Sequence, residues 1–268
     1  MEENSKYKKY AVITGASSGI GREMAKILYK KGYGLILAAR REDRLAGLSK
    51  ELMMSAGNKD SSHIKIIRCD LVEKSDISRL LSLVDSVDVE VFINNAGFGH
   101  IGGFLDTDVH LDERMLALNV RAVHILTKEM ISRFQEKDRG YLLNVASSAG
   151  LMPAGPYMSE YYATKSYVAV LTRSIAAELR AENSDVYAGI LAPGPVATEF
   201  SRVAGAKHNG GIPPYKCAKI AIDGMFKRKT VIVPGFSVRM GIFFSRFAPA
   251  GLISAFLANH QKKKLKAD

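Results

Sequence analysis

The chain has 268 residues, 47% of them hydrophobic and 24% charged, with a formal net charge of +11. That length suits one α/β unit with a single core, and that balance excludes a disordered chain. Its two cysteines, Cys69 and Cys217, lie far apart without metal-ligand spacing, so reduced thiols and no metal site are expected.

Met1 to Tyr10 is polar and basic and lacks an apolar stretch, so a secretory signal is not expected and a cytoplasmic location is. Lys6, Lys8 and Lys9 near one end and Lys262, Lys263, Lys264 and Lys266 near the other carry much of the excess charge. They read as solvated tails or as attraction to an anionic membrane surface or a polyanionic substrate carrier. Nucleic acid is not expected, because no aromatic-interleaved basic stripe accompanies the charge.

In chain order, short apolar runs alternate with helical patterns. The predicted strands are Tyr10–Thr14, Gly34–Ala39, Ile64–Cys69, Val89–Asn94, Gly140–Ala146, Val186–Ala192 and Thr230–Val233. Between them helices are predicted at about Gly19–Lys31, Glu42–Ala56, Asp76–Asp85, Leu111–Glu136, Tyr157–Glu182 and Pro214–Phe226. Such alternation predicts an α/β fold: a doubly wound, parallel, seven-stranded sheet of the Rossmann type, with helices on both faces. Without a linker or repeat, residues 1–268 read as one domain with a C-terminal extension at about 235–268. Within that extension, Gly241–Leu257 is apolar but interrupted by Arg246 and Pro249, too short and too charged for a spanning helix.

The first strand runs into Thr14-Gly15-Ala16-Ser17-Ser18-Gly19-Ile20-Gly21 and then a helix, an arrangement that points backbone N–H groups at a phosphate. Gly15 permits the sharp turn, Gly19 lets a pyrophosphate approach the backbone, and Gly21 allows close helix–strand packing. Ser17, Ser18 and Ile20 complete the candidate phosphate contacts. After the second strand come Arg40 and Arg41 where a carboxylate would recognise a ribose 2′-hydroxyl, so NADP(H) is expected in preference to NAD(H). Arg40 is the leading candidate, and Arg41 is more open to a solvated or capping role. Asp70, after the third strand, reads as a cofactor contact or a turn cap. Asn94-Asn95-Ala96-Gly97 ends the fourth strand, with Asn94, Ala96 and Gly97 as cofactor candidates.

Tyr161 and Lys165 lie four residues apart, on one helix face, thirteen residues after Ser148. A carbonyl being reduced needs a proton donor at its oxygen, and a tyrosine of ordinary pKa about 10 needs a nearby cation to serve. Lys165 can supply it, while Ser148 can hydrogen-bond the developing oxyanion. Ser147 competes with Ser148, and the spacing selects Ser148; Tyr162 competes with Tyr161 and is assigned to packing.

Taken together and in order, these motifs resemble the short-chain dehydrogenase/reductase family in its single-domain branch, over about residues 8 to 235. The tail resembles those of 3-oxoacyl reductase-like and 17β-hydroxysteroid dehydrogenase-like members. The resemblance implies Tyr161 as general acid/base, with Lys165 holding the nicotinamide ribose and lowering the Tyr161 pKa. It implies that Ser148 steadies the substrate oxygen and Asn119 keeps a water for a proton relay. Pro193, Gly194, Val196 and Thr198 would flank the nicotinamide carboxamide. Members pair through the helices holding Asn119 and Tyr161, so a homodimer or homotetramer is expected.

The expected activity is NADP(H)-dependent reduction of a carbonyl or the reverse oxidation; the alternative is a non-catalytic NADP(H)-binding regulatory or scaffold module. Phe98, Phe104, Leu151, Met152, Phe200 and Val203 favour an apolar acyl, steroid-like or aromatic substrate over a small polar sugar. The Pro195–Pro214 segment reads as a lid that orders on cofactor binding. Tyr157 either faces the substrate or packs. The tail either contacts a membrane through an amphipathic helix or covers the pocket or a partner subunit. His100, His124 and His208 have no partners at metal or triad spacing and read as surface or loop histidines.

Overall fold

The computed structural model describes residues 9–55, 62–200, 204 and 211–265. Its seven strands are β1 (Tyr10–Thr14), β2 (Gly34–Ala39), β3 (Ile64–Arg68), β4 (Val89–Asn94), β5 (Gly140–Val145), β6 (Val186–Leu191) and β7 (Val231–Ile232). They form one sheet in the order β3-β2-β1-β4-β5-β6-β7, every adjacent pair parallel. The central strands are continuous apolar runs because helices cover both faces; all six residues of β2 are buried.

Successive residues of a strand point to opposite faces, and the two halves of the core follow that alternation. On one face, Ile13 and Leu37 pack with Met24 and Leu28 of α1 (Gly19–Lys30), Leu45 and Leu48 of α2 (Glu42–Ser55), and α7 (Pro214–Phe226). On the other, Val12, Ile36 and Phe92 pack with α3 (Lys74–Val84), α5 (Val123–Glu136) and α6 (Ser159–Ala181).

The strand order reverses between β1 and β4, which opens a crevice beyond the C-terminal ends of the strands. A buried polar network braces its floor. Asn94 donates to Asn144 Oδ1 at 2.9 Å, and Asn144 donates to Thr172 at 2.8 Å, tying β4 and β5 to α6.

Two local departures from the predicted elements concern the site. The predicted helix Leu111–Glu136 is three pieces: α4 (Val109–Leu116), a π-helical turn over Ala117–Ala122, and α5. Hydrophobic periodicity does not register a π turn, yet such turns re-aim side chains at functional sites; here Asn119 lies in it. The predicted helix start at Tyr157 is displaced to Ser159. Tyr157 adopts φ +64°, a left-handed conformation that costs a bulky residue on the order of 1 kcal/mol or more and breaks helical geometry. Its carbonyl accepts from the Gly102 N–H at 2.9 Å, fixing the loop after β4 beside α6.

The tail forms α8 (Phe236–Ser245) and α9 (Ala250–Leu265). Among the described residues, no helix is long and apolar enough to cross a membrane.

Candidate active site

At the cofactor end of the crevice, Gly15 and Gly19 have φ of +67° and +59°, which a side chain would strain. A Cβ on Gly21 would collide with the Asn95 side chain and the Gly15 carbonyl. Thr14 organises this turn: its hydroxyl accepts from the Asn95 and Ala96 N–H groups at 2.9 and 3.0 Å. Asn95 returns a bond from its side-chain amide to the Thr14 carbonyl at 2.9 Å. The turn is thus locked to β4 with the N-terminus of α1 facing the crevice, where the first N–H groups of a helix attract a phosphate. Ser18 caps α1 by backbone position alone, which leaves those donors unclaimed by its side chain. The groups present fit a dinucleotide.

Asn94 is not part of this surface. It is 2% exposed with its side chain turned into the core network, and it is the neighbour Asn95 whose side chain holds the turn. Consecutive strand residues face opposite ways, and a motif read without its register does not say which asparagine faces where.

The arginine assignment also changes. Arg41 reaches back over the glycine turn, donating to Ser18 Oγ at 3.0 Å and Ser17 Oγ at 3.4 Å. Arg40 is exposed with no side-chain partner among the described residues. Sequence reasoning ranked Arg40 first and missed both Arg44 and Glu199. Glu199 bridges Arg41 at 3.0 Å and Arg44 at 2.9 Å, and the two guanidinium groups hold its carboxyl below the usual carboxylate range. One helical step after Arg41, Arg44 was legible as a second cation on the same face; Glu199 was not, because only the fold brings it there.

Asp70 shows the turn-capping geometry. Its Oδ1 accepts from the Val72 N–H at 3.2 Å, and its Oδ2 lies 3.6 Å from Arg114 at the crevice edge. The segment after β6 returns to the turn. Pro193 accepts from the Ser148 N–H at 2.8 Å, Val196 bridges Ile212, and a Cβ on Gly19 would lie 3.1 Å from the Thr198 methyl. Gly194 sits under Val238 of α8.

At the chemical end, Tyr161, Lys165 and Asn119 converge. Tyr161 is 8% exposed and Lys165 4%. A Cβ on Gly97 would stand 3.0 Å from Asn119 Oδ1 and 3.2 Å from Lys165 Nζ, so Gly97 is the small residue that lets all three elements meet. Lys165 donates to the Val145 carbonyl at 2.9 Å, and its Nζ lies 5.9 Å from the centre of the Tyr161 ring. Burial lowers the Lys165 pKa to about 8 and raises that of Tyr161 to about 12.

Of the two serines, it is Ser147 whose hydroxyl opposes the upward shift that burial imposes on the Tyr161 phenol. Spacing selects Ser148, whereas the structure sets Ser147 against the phenol. Ser147 precedes a 3₁₀ turn, Ser148–Leu151, in extended conformation, and the Ser148 backbone N–H donates to the Pro193 carbonyl. Asn119 commits both ends of its amide to the Phe98 backbone, accepting at 3.1 Å and donating at 2.7 Å, and donates again to Thr164 at 3.2 Å. It clamps the Gly97–Phe98 turn beneath α6.

Around Tyr161 an apolar cluster gathers Met115, Phe98, Ile101, Met152, Phe200 and Leu257. Of the segments expected to meet substrate, Phe98, Met152 and Phe200 are in it. Leu151 packs elsewhere, Phe104 is 69% exposed, and Val203 lies outside the described residues. Tyr162 packs, with its hydroxyl on Gln261 of α9. His100 Nε2 lies 3.2 Å from Asp112, and His124 Nδ1 lies 2.6 Å from the Tyr167 hydroxyl. His208 lies outside the described residues. Burial pushes both cysteine thiols up to about 12, which leaves them unreactive.

This geometry has counterparts. A family model described as short chain dehydrogenase matches residues 9–209. The chain is 34% identical over 179 residues to a very-long-chain 3-oxoacyl-CoA reductase of Laccaria bicolor, covering 66% of this chain but only 52% of that one. It therefore spans about half the length of that relative. It is 30% identical to dehydrogenase/reductase SDR family member 7B of Xenopus tropicalis, covering 95% of this chain and 86% of that one. Among solved structures, a short-chain dehydrogenase from Sphingobium yanoikuyae in complex with NADPH superposes with a TM-score of 0.79 at 28% identity, covering 92% and 95% of the two chains. The chain belongs to the short-chain dehydrogenase/reductase family.

Proposed function

We propose that the protein is an NADP(H)-dependent reductase of a carbonyl borne on an apolar substrate, a 3-oxoacyl chain above other classes. The observation that carries this reading is the buried Tyr161–Ser147 pair beside Lys165, opening onto the apolar cluster of Phe98, Ile101, Met152 and Phe200. A bound nicotinamide supplies or accepts the hydride. Tyr161 gives its phenolic proton to the carbonyl oxygen as the C=O bond is reduced, and the Ser147 hydroxyl stabilises the tyrosinate that remains. Lys165 keeps a positive charge beside the ring and offers donors to the cofactor ribose. Asn119 is a positioning residue that holds the Phe98 turn over the pocket.

The preference for NADP(H) is supported by Arg41 and Arg44 beside Ser18, an anion site with no acidic residue at the end of β2. NADPH in the Sphingobium structure points the same way, and the 3-oxoacyl-CoA reductase name of the Laccaria bicolor relative supports the acyl substrate. A homodimer through the helices that bear Asn119 and Tyr161 is supported by Leu116 and Val170, 49% and 59% exposed on that face.

The test is NADPH consumption against 3-oxoacyl thioesters, steroid ketones and aromatic ketones, repeated with NADH and with Tyr161→Phe. Turnover that prefers NADPH and disappears in the variant supports the proposal. Tight NADPH binding without turnover on any ketone would instead indicate a binding module.

A further inference from the structure

The tail has a second, outward face that the reductase reading does not use. Five of the six exposed phenylalanines among the described residues lie in it: Phe236, Phe243, Phe244, Phe247 and Phe256, between 49% and 75% exposed. Three of them, Phe243, Phe244 and Phe247, touch one another. The rings of Phe243 and Phe244 are 5.6 Å apart and those of Phe243 and Phe247 5.1 Å, with Leu252 68% exposed beyond them. Isolated apolar residues on a surface need no explanation, but a run of exposed aromatic rings on one short segment does.

The charge around the patch identifies what covers it. From Gly224 to Ala267 the sequence contains nine Lys or Arg and no Asp or Glu. Arg239 and Arg246, both exposed and set among the phenylalanines, have no carboxylate partner among the described residues. Elsewhere the pattern differs at Arg133 and Arg139: Arg133 is paired with Asp85 and Glu129, and Arg139 with Asp88. A second copy of the chain seated on this face would bring the same uncompensated charge against itself, since a twofold contact is made by the same patch on both sides. An anionic bilayer surface suits both features, with headgroups for the guanidinium groups and acyl chains for the rings.

We propose that α8 and the turn after it dock the protein peripherally on anionic membranes, Phe243, Phe244 and Phe247 entering the interface and Arg239 and Arg246 engaging lipid phosphates. The same tail turns Leu257 and Gln261 inward against the Tyr161 pocket. Docking therefore sets a bilayer against the element that covers the substrate site.

The experiment is co-sedimentation of the full chain with phosphatidylcholine vesicles, with and without phosphatidylserine. Retention should rise about tenfold with the anionic lipid and fall as salt is raised. Phe244→Ser with Phe247→Ser should abolish it, and Arg239→Gln with Arg246→Gln should remove the phosphatidylserine dependence. NADPH binding, measured alongside, should stay unchanged in both variants, which separates a lost surface from a misfolded chain and from a failure of the reductase reading. Equal retention of wild type and both variants would overturn the proposal. So would a stable dimer in light scattering that Phe244→Ser with Phe247→Ser dissociates, coupled with no vesicle binding; the patch would then belong to a second copy.

Discussion

At the β1–β2 end of the crevice, backbone does the binding. Two left-handed glycines and a helix N-terminus make the cradle, and the side chains of Thr14 and Asn95 only hold it in place. At the β4–β5 end, side chains do the work, drawn from four separated places: Asn119 in a π turn, Ser147 before a 3₁₀ turn, Tyr161 and Lys165 on α6, and Leu257 from the tail. A backbone site tolerates change everywhere except at its glycines. A side-chain site is sensitive to the exact atom each residue presents, so it separates residues that are neighbours in sequence.

The largest expected effect lies at the side-chain end. Tyr161→Phe removes the proton donor while keeping the ring against Phe200, 5.6 Å away, so the pocket should stay packed. Turnover should fall by about 10²–10⁴, with NADPH affinity measured by fluorescence little changed. A variant retaining more than a tenth of wild-type turnover would remove Tyr161 from the chemistry.

Next in size is the contrast between adjacent serines. Ser147→Ala should lower kcat by about 10² or more, since it deletes a hydrogen bond to the reacting group. Ser148→Ala should change it by less than about threefold, because its backbone N–H, not its hydroxyl, makes the structural bond to Pro193. The reverse order would restore the assignment made from spacing.

These serines also show where the sequence was legible. The strands and the glycine turn could be read because each depends on local pattern: apolar runs in a sheet covered on both faces, and glycines where φ must be positive. Tyr161 and Lys165 were legible because a helix fixes what lies four residues away. Ser147 against Ser148, Asn95 against Asn94 and Arg41 against Arg40 were not, because each choice turns on which way a side chain points at a strand end. Direction there is set by register and by the turn that follows. Glu199 and Leu257 were out of reach for a simpler reason: their partners are more than ninety residues away in sequence.

A pH series sharpens the comparison further. Burial depresses the Lys165 pKa to about 8, whereas a lysine in the unfolded chain titrates near 10.4, roughly. Between those values the unfolded chain binds more protons than the folded one, so stability should rise with pH across about 8 to 10. Tyr161 works in the opposite sense. Its folded pKa is raised to about 12, so its contribution falls as pH climbs from about 10 toward 12. Carbonyl reduction should decline above about pH 8 as Lys165 loses its charge. Thermal melts and initial rates from pH 7 to 10 should then move in opposite directions, roughly, with Lys165→Met flattening the rise in the melts. Melts that fall across this range in the wild type, with no change in Lys165→Met, would mean the amine is not held in a desolvating site.

The smallest expected effect is at the backbone end, where charge rather than geometry decides the cofactor. Glu199 sits on the two cations that would receive a 2′-phosphate, bridging Arg41 and Arg44 from the segment after β6. A phosphate arriving there must displace a carboxylate, while a ribose hydroxyl need not. Glu199→Gln should therefore tighten NADPH binding by about two- to fivefold, the range of an exposed ion pair, and leave NADH nearly unchanged. Arg41→Ala should weaken NADPH more than NADH, and Arg40→Ala should affect neither. Titration of both cofactors against the three variants checks this. If Glu199→Gln weakens NADPH instead, the carboxylate is organising the arginines for the phosphate rather than competing with it, and the anion site is built from all three side chains.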